Sequence, residues 1–285
     1  MADTGIIDAH VHLWDPSRFR MSWLDGNTML DKPYLLDDYD QHTAGIDIRG
    51  MVYMQVEVEP SYGLLEAEWV ADLARSEPRL QAIIPWAPLE YGEQARAYLD
   101  ALTGISPLIK GVRRLIQSES VEFCLQPRFI HGVQLLADYD LSFDLCVQHR
   151  QLANVISLVR QCPDTRFILD HIGKPAIKEY LLDPWREHIT SLADLPNVMC
   201  KMSGMVTEAD MERWTPEDLQ PFVDHVVASF GEDRILFGGD WPVVVQASSY
   251  RRWVDTLAVL TDQFSAGSQR RLWHDNAARF YRLQA

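Results

Sequence analysis

The chain has 285 residues, 47% of them hydrophobic, 24% charged and 10% aromatic; that much apolar surface excludes a disordered, collagen-like or low-complexity protein. Its formal net charge of -15, from 41 acidic against 26 basic residues, argues against partners whose phosphates or anionic lipids need neutralising. Nucleic acid and membrane surfaces are therefore not expected as partners.

The start, Met1-Ala2-Asp3-Thr4-Gly5, carries no positive leader. No stretch approaches the roughly eighteen uncharged apolar residues of a spanning helix, so a cytoplasmic protein is expected. The first predicted strand, residues 6–13, ends Asp8-Ala9-His10-Val11-His12-Leu13-Trp14. Side chains two apart share a strand face, so His10 and His12 are expected to project together with Asp8 one layer below. Two imidazoles placed that way can converge on one metal ion. Residues 14–41, rich in Asp, Pro and aromatics, show little helical period and read as a long loop covering a site.

Further β-branched runs follow at 48–58, 80–85, 109–116, 142–148, 166–172, 197–202 and 234–239. Stretches with apolar residues three and four apart lie between them, at 62–76, 92–102, 127–139, 152–161, 180–195 and 216–230. Strands alternating with helices imply parallel pairing, and eight such units are the count for a closed (β/α)8 barrel. A doubly wound open sheet with the same alternation is the rival. Residues 265–283 read as an extra amphipathic C-terminal helix packed on the outside. With no linker or repeat, residues 1–285 form one domain.

A barrel carries its chemistry at the C-terminal ends of its strands. The fourth predicted strand contains Lys110-Gly111-Val112-Arg113-Arg114, whose two arginines must point opposite ways; Arg113 is the expected inward one, and the other needs a carboxylate partner outside. His149 follows the fifth. The sixth ends Leu169-Asp170-His171-Ile172-Gly173-Lys174-Pro175, and the eighth Phe237-Gly238-Gly239-Asp240-Trp241-Pro242, where two glycines let the backbone crowd a ligand. Asp240 reads as a ligand or base, with a helix cap or turn former as the alternative. Lys201 and Ser203 on the seventh strand are weaker candidates, a structural ion pair being the competing reading. Trp14 and Trp241 flank the presumed ligands and are expected to wall the pocket, whereas Trp23 and Trp86 read as packing residues. The four cysteines, Cys124, Cys146, Cys162 and Cys200, form no CxxC pair and read as buried small hydrophobes in a reducing compartment.

The ordered set of motifs at strands one, four, six, seven and eight resembles the amidohydrolase superfamily, and within it the lactonase branch that includes fuconolactonases, rhamnonolactonases and pyrone dicarboxylate lactonase. The resemblance implies a distorted (β/α)8 TIM barrel with His10, His12 and Asp240 around one divalent metal, zinc being the expected ion, although some members of the branch work without one. No residue matches the carboxylated lysine that bridges two metals in many relatives, because Lys110 precedes the strand terminus. The implied reaction is hydrolysis of a small-molecule sugar lactone, with Asp240 and His171 catalytic and Arg113, His149, Trp14 and Trp241 holding substrate. A zinc-dependent decarboxylase built on the same residues and a non-catalytic sugar-acid binding protein are the alternatives. A homo-oligomer is compatible with the sequence.

Overall fold

The computed structural model describes residues 5–283; the Met1–Thr4 part of the N-terminal reading lies outside them. Eight parallel strands follow in chain order: β1 (Ile6–Val11), β2 (Ile48–Met54), β3 (Leu80–Ile84), β4 (Gly111–Val112), β5 (Ser142–Leu145), β6 (Arg166–Leu169), β7 (Val198–Met202) and β8 (Ile235–Phe237). Their ladders run β1-β2-β3 and β4-β5-β6-β7-β8. Single parallel bridges, Ile83 to Ile109 and Val11 to Trp241, join the two arcs at both seams. The sheet therefore closes on itself, which removes the open doubly wound alternative. Each strand is shorter than its apolar run, and β4 shrinks to two residues.

The helices are α1 (Leu36–His42), α2 (Gly63–Ala74), α3 (Ala95–Ile105), α4 (Pro127–Leu135), α5 (Leu152–Gln161), α6 (Trp185–Ala193), α7 (Met205–Glu208), α8 (Pro216–Phe230), α9 (Tyr250–Leu260), α10 (Ala266–Arg270) and α11 (Asn276–Tyr281). Local chemistry sets their ends. Thr215 and Asp218 form a capping box ahead of α8, with Pro216 in the first helical position, and Ser249 Oγ accepts the Arg252 N–H ahead of α9. In α8, Leu219, Phe222, Val223, Val226 and Phe230 recur at three- and four-residue steps and are all buried against the barrel. Neither α1 nor α9 was among the predicted helical stretches. In α1 only Tyr39 is buried, so there is no apolar period to read.

Ile7, Ala9, Val52, Met54, Ala82, Ile84, Ile168, Met199 and Leu236 fill the barrel's interior as one cluster. Ala277, Phe280 and Tyr281 belong to that same cluster. The C-terminal segment is thus a stopper in the barrel interior, not an external helix. Five residues of π-helix, Arg271–Asp275, link α10 to α11. No helix among the described residues is long and apolar enough to cross a membrane.

Candidate active site

The site forms where the first and last strands meet. Register shifts in β1, between Asp8 and Val11, break the strict alternation. Ile7 and Ala9 face the barrel interior, yet His10 also turns inward, while Asp8 points to the surrounding helices. Its carboxylate accepts from Tyr39 OH (3.0 Å) on α1, Tyr250 OH (2.7 Å) on α9, and the backbone N–H groups of Gly239 (2.7 Å) and His10 (3.0 Å). The expectation that Asp8 lies one layer beneath the histidines on their face is therefore corrected; the bulge separates them. Asp8 instead ties the segment carrying the histidines to the segment carrying Asp240. The Asp240 N–H donating to His10 O (2.8 Å) and the His12 N–H donating to Trp241 O (2.8 Å) complete the seam.

Only glycine fits the approach to Asp240. A Cβ on Gly238 would lie 2.8 Å from that of His10, and one on Gly239 would lie 2.5 Å from Asp8 Oδ2. Asp240 itself takes a left-handed φ of 53°.

Hydrogen bonding fixes the imidazoles. The His12 Nδ1–H donates to Met54 O at 2.9 Å, so its Nε2 lone pair faces Asp240 Oδ1 3.5 Å away. Arg113 Nη1 lies 3.2 Å from His10 Nε2, and a guanidinium only donates. His10 Nδ1 faces both Lys201 Nζ (3.3 Å) and Asp170 Oδ1 (3.5 Å); with its proton on Nδ1, toward Asp170, the ring keeps a lone pair at Nε2. His10 Nε2 is 3.6 Å from Asp240 Oδ1. Burial keeps both imidazoles neutral, well below the ordinary range for His10. Burial also acts to raise the Asp240 pKa, but the adjacent His171, His12 and His10 rings hold it well below the usual carboxylate range.

Three acceptor atoms thus face one another within 4.8 Å, and an ion bound at His10 Nε2 would replace the Arg113 Nη1 contact there. A tetrahedral ion about 2.0–2.1 Å from each donor separates them by roughly 3.3–3.5 Å, so His10, His12 and Asp240 fit one metal ion. The Asp170 carboxylate behind His10 is the outer support such ligands receive. His10, Asp170 and His171 form a second, overlapping group. His171 is also neutral, with burial pushing its pKa down to about 4; its Nδ1 pairs with Ser203 Oγ (2.9 Å) and its Nε2 is 4.0 Å from Asp240 Oδ1.

A cavity of about 200 Å³ opens above these groups, and His12, Arg113, His171 and Asp240 line it. Trp14 lines it too, its indole N–H shared between Leu30 O (3.2 Å) and Lys32 O (2.9 Å) of the long loop. Arg113 is the buried, inward arginine. Arg114 faces away and pairs with Glu90 (3.0 Å) and Glu119 (2.7 Å). Lys201 lies beneath the site as a buried ion pair, 2.7 Å from Asp144 and 2.9 Å from Asp170. Burial acts to raise the Asp170 pKa, but Lys201 overrides it and holds this carboxyl well below its usual range.

Two expected substrate contacts fall elsewhere. The His149 Nδ1–H donates to Lys174 O (3.0 Å), and the ring lines a separate surface groove, because the chain turns out of the barrel as it leaves β5. Trp241 is fully buried among Tyr34, Tyr39 and His42, on the helix side of the seam. Trp23, read as packing, instead walls the cavity, as do Cys146, Gln117 and Lys174, which the residue patterns did not single out. A motif signal did exist for Lys174, in the Gly173-Lys174-Pro175 run.

A parallel barrel that gathers two imidazoles and a carboxylate at its first and last strands has the architecture of a metal-assisted hydrolase. The amidohydrolase family model matches residues 7–283, and the chain belongs to that family. It is 30% identical to an L-fucono-1,5-lactonase of Burkholderia multivorans, over 97% of this chain and 96% of that one. It is 22% identical to an L-rhamnono-gamma-lactonase of Scheffersomyces stipitis, over 99% of this chain and all of the relative. A crystal structure of an amidohydrolase from Burkholderia multivorans with bound zinc superposes with a TM-score of 0.89 at 28% identity, covering 99% of this chain and 100% of that one.

Proposed function

We propose that the protein hydrolyses the ring ester of a sugar-derived lactone, releasing the open-chain aldonic acid. The observation that carries this is the convergence of His10 Nε2, His12 Nε2 and Asp240 Oδ1 beside a cavity that His12, Asp240 and Arg113 line. The lactonase names of two full-length relatives support the substrate class. The ion that these three residues would hold is zinc, which supplies Lewis-acid polarisation and a more acidic bound water when present.

The chain's own groups perform the proton bookkeeping. Asp240, ionised at neutral pH, takes a proton from water as the water oxygen bonds to the lactone carbonyl carbon. The carbonyl π pair moves onto its oxygen. Collapse of that tetrahedral species breaks the ring C–O bond, and the departing ring oxygen takes the proton held by Asp240. Neutral His171 orients the water beside Asp240, and Arg113 holds the substrate in register. Trp14 and Trp23 exclude bulk water, which strengthens each of these contacts. The small lactone is the partner, neither nucleic acid nor membrane is bound, and the reaction serves carbohydrate catabolism in the cytoplasm.

The test is turnover of a panel of L-fucono- and L-rhamnono-lactones, scored as acid release. We expect Asp240→Asn to lower kcat by about 1,000-fold or more while leaving the thermal midpoint within a few degrees of wild type. Ordinary lactonase activity in that variant would refute the assigned base.

A further inference from the structure

One segment at the cavity is held in a conformation that ordinary sequences avoid. His171, Ile172, Gly173 and Lys174 all have positive φ, at 53°, 48°, 75° and 47°. Only one of the four is glycine. A non-glycine residue in the left-handed region is strained, and such strain persists where the surroundings enforce it. The turn carries two side chains into the cavity, the His171 ring and the Lys174 side chain.

Lys174 is under-partnered for a charge in that position. Its ammonium has three protons to donate, and its one ion-pair partner is Glu208 Oε1, 3.4 Å away on α7. The side chains are 18% and 22% exposed, so neither is freely solvated. Burial acts to lower its pKa, but the Cys146 sulfur and the Glu208 and Asp240 carboxylates raise it, and the group is cationic at neutral pH. Arg113, the cavity's other cation, has more partners: Nη2 donates to Gln55 O (2.5 Å) and Nη1 lies 3.2 Å from His10 Nε2 and 3.4 Å from Asp170 Oδ2, with Nε left unpaired. A cation held partly buried with free N–H donors gains from an anion or a polarised oxygen arriving beside it.

We propose that Lys174 is a catalytic residue: its free ammonium donors bind the lactone carbonyl oxygen and stabilise the negative charge that oxygen acquires when water adds to the carbonyl carbon. This rests on the lactone-opening reading above and names the group that receives the charge. The ammonium donates hydrogen bonds and keeps its protons throughout. The two electrons that reach the carbonyl oxygen return to re-form C=O as the ring C–O bond breaks, and the proton taken up by Asp240 goes to the leaving oxygen. The strained turn holds the donors in place before substrate arrives, so little reorganisation is needed in the transition state.

The experiment uses full-length protein and a lactone that the wild type opens. Lys174→Met keeps the stem and removes the charge; we expect kcat to fall about 100-fold with KM changed less than threefold, at an unchanged thermal midpoint. Lys174→Arg should recover part of that loss. Glu208→Gln leaves the ammonium in place and should lose less than tenfold. If Lys174→Met does not fold, Lys174→Gln, which keeps a donor for Glu208, takes its place with the same expected loss. A kcat within threefold of wild type in the neutral variant overturns the proposal, as does a Glu208→Gln loss equal to that of Lys174→Met, which marks a structural pair. A wild type that opens no lactone overturns the functional reading itself, so the two failures are distinguishable.

Discussion

Glu66 shows how much a single buried carboxylate can do away from the reacting atoms. Its Oε1 accepts from Tyr53 OH (2.7 Å) and from the Val56 N–H (2.9 Å), which fixes the β2 end against the cavity that Val56 lines. Burial pushes its pKa up to about 6 from 4.5. A carboxyl whose folded pKa is raised lends stability that is full below pH 4.5 and lost as pH rises through about 6. The shift corresponds to about 2 kcal/mol. Urea melts should therefore show wild type losing about 2 kcal/mol more stability between pH 4 and 7 than Glu66→Gln does; parallel pH profiles would refute this. Other residues differ in how legible they are. Alternation carried past the end of β4 sends Arg113 and Arg114 opposite ways, as found, but does not by itself say which of the two faces the cavity. Asp8 departs from alternation, because a bulge moves it to the other face. His149 and Trp241 sit just past strand ends, where period-2 reasoning stops and the loop decides direction. Lys174 enters the cavity through a left-handed turn that no residue preference announces.

At the scale of elements, the C-terminal segment carries the clearest consequence. Phe280 and Tyr281 pack into the barrel interior, and Tyr281 OH donates to Asp144 Oδ2 (2.6 Å), the carboxylate that also holds Lys201. Phe280→Ala should cost about 3–5 kcal/mol in chemical denaturation, the range for an aromatic removed from a packed core; a loss under 1 kcal/mol would place the segment outside the core. Its helical period was readable, but its destination was not: an amphipathic face fits the barrel's flank or its bore equally well. The eight-strand count was legible because each strand is a short, mostly apolar and almost wholly buried run, as parallel strands covered on both faces are. The strand lengths were not, since the apolar runs continue into the loops that build the cavity.

The whole molecule combines a strongly acidic chain with a cavity holding Arg113 and Lys174. It also places one predicted ion site at its seam. His10→Ala and His12→Ala should each lower bound metal in elemental analysis of the purified protein, and unchanged content would put the ion elsewhere. Chelation should lower the thermal midpoint and zinc should restore it, by about 2.7 kcal/mol of added stability at a free ion concentration 100 times its Kd. The barrel closure itself was legible from the count of βα units, and the meeting of the first and eighth strands follows from closure.

That meeting has a bearing on synthesis. The imidazole pair leaves the ribosome with the opening strand, and its carboxylate companion appears only after the 227 positions between His12 and Asp240 have been translated. A growing polypeptide consequently passes most of its elongation without a reactive centre. A circular permutant that cuts the ring at a surface loop away from β1 and β8 and from the segments after β4 and β6 should inherit the centre intact.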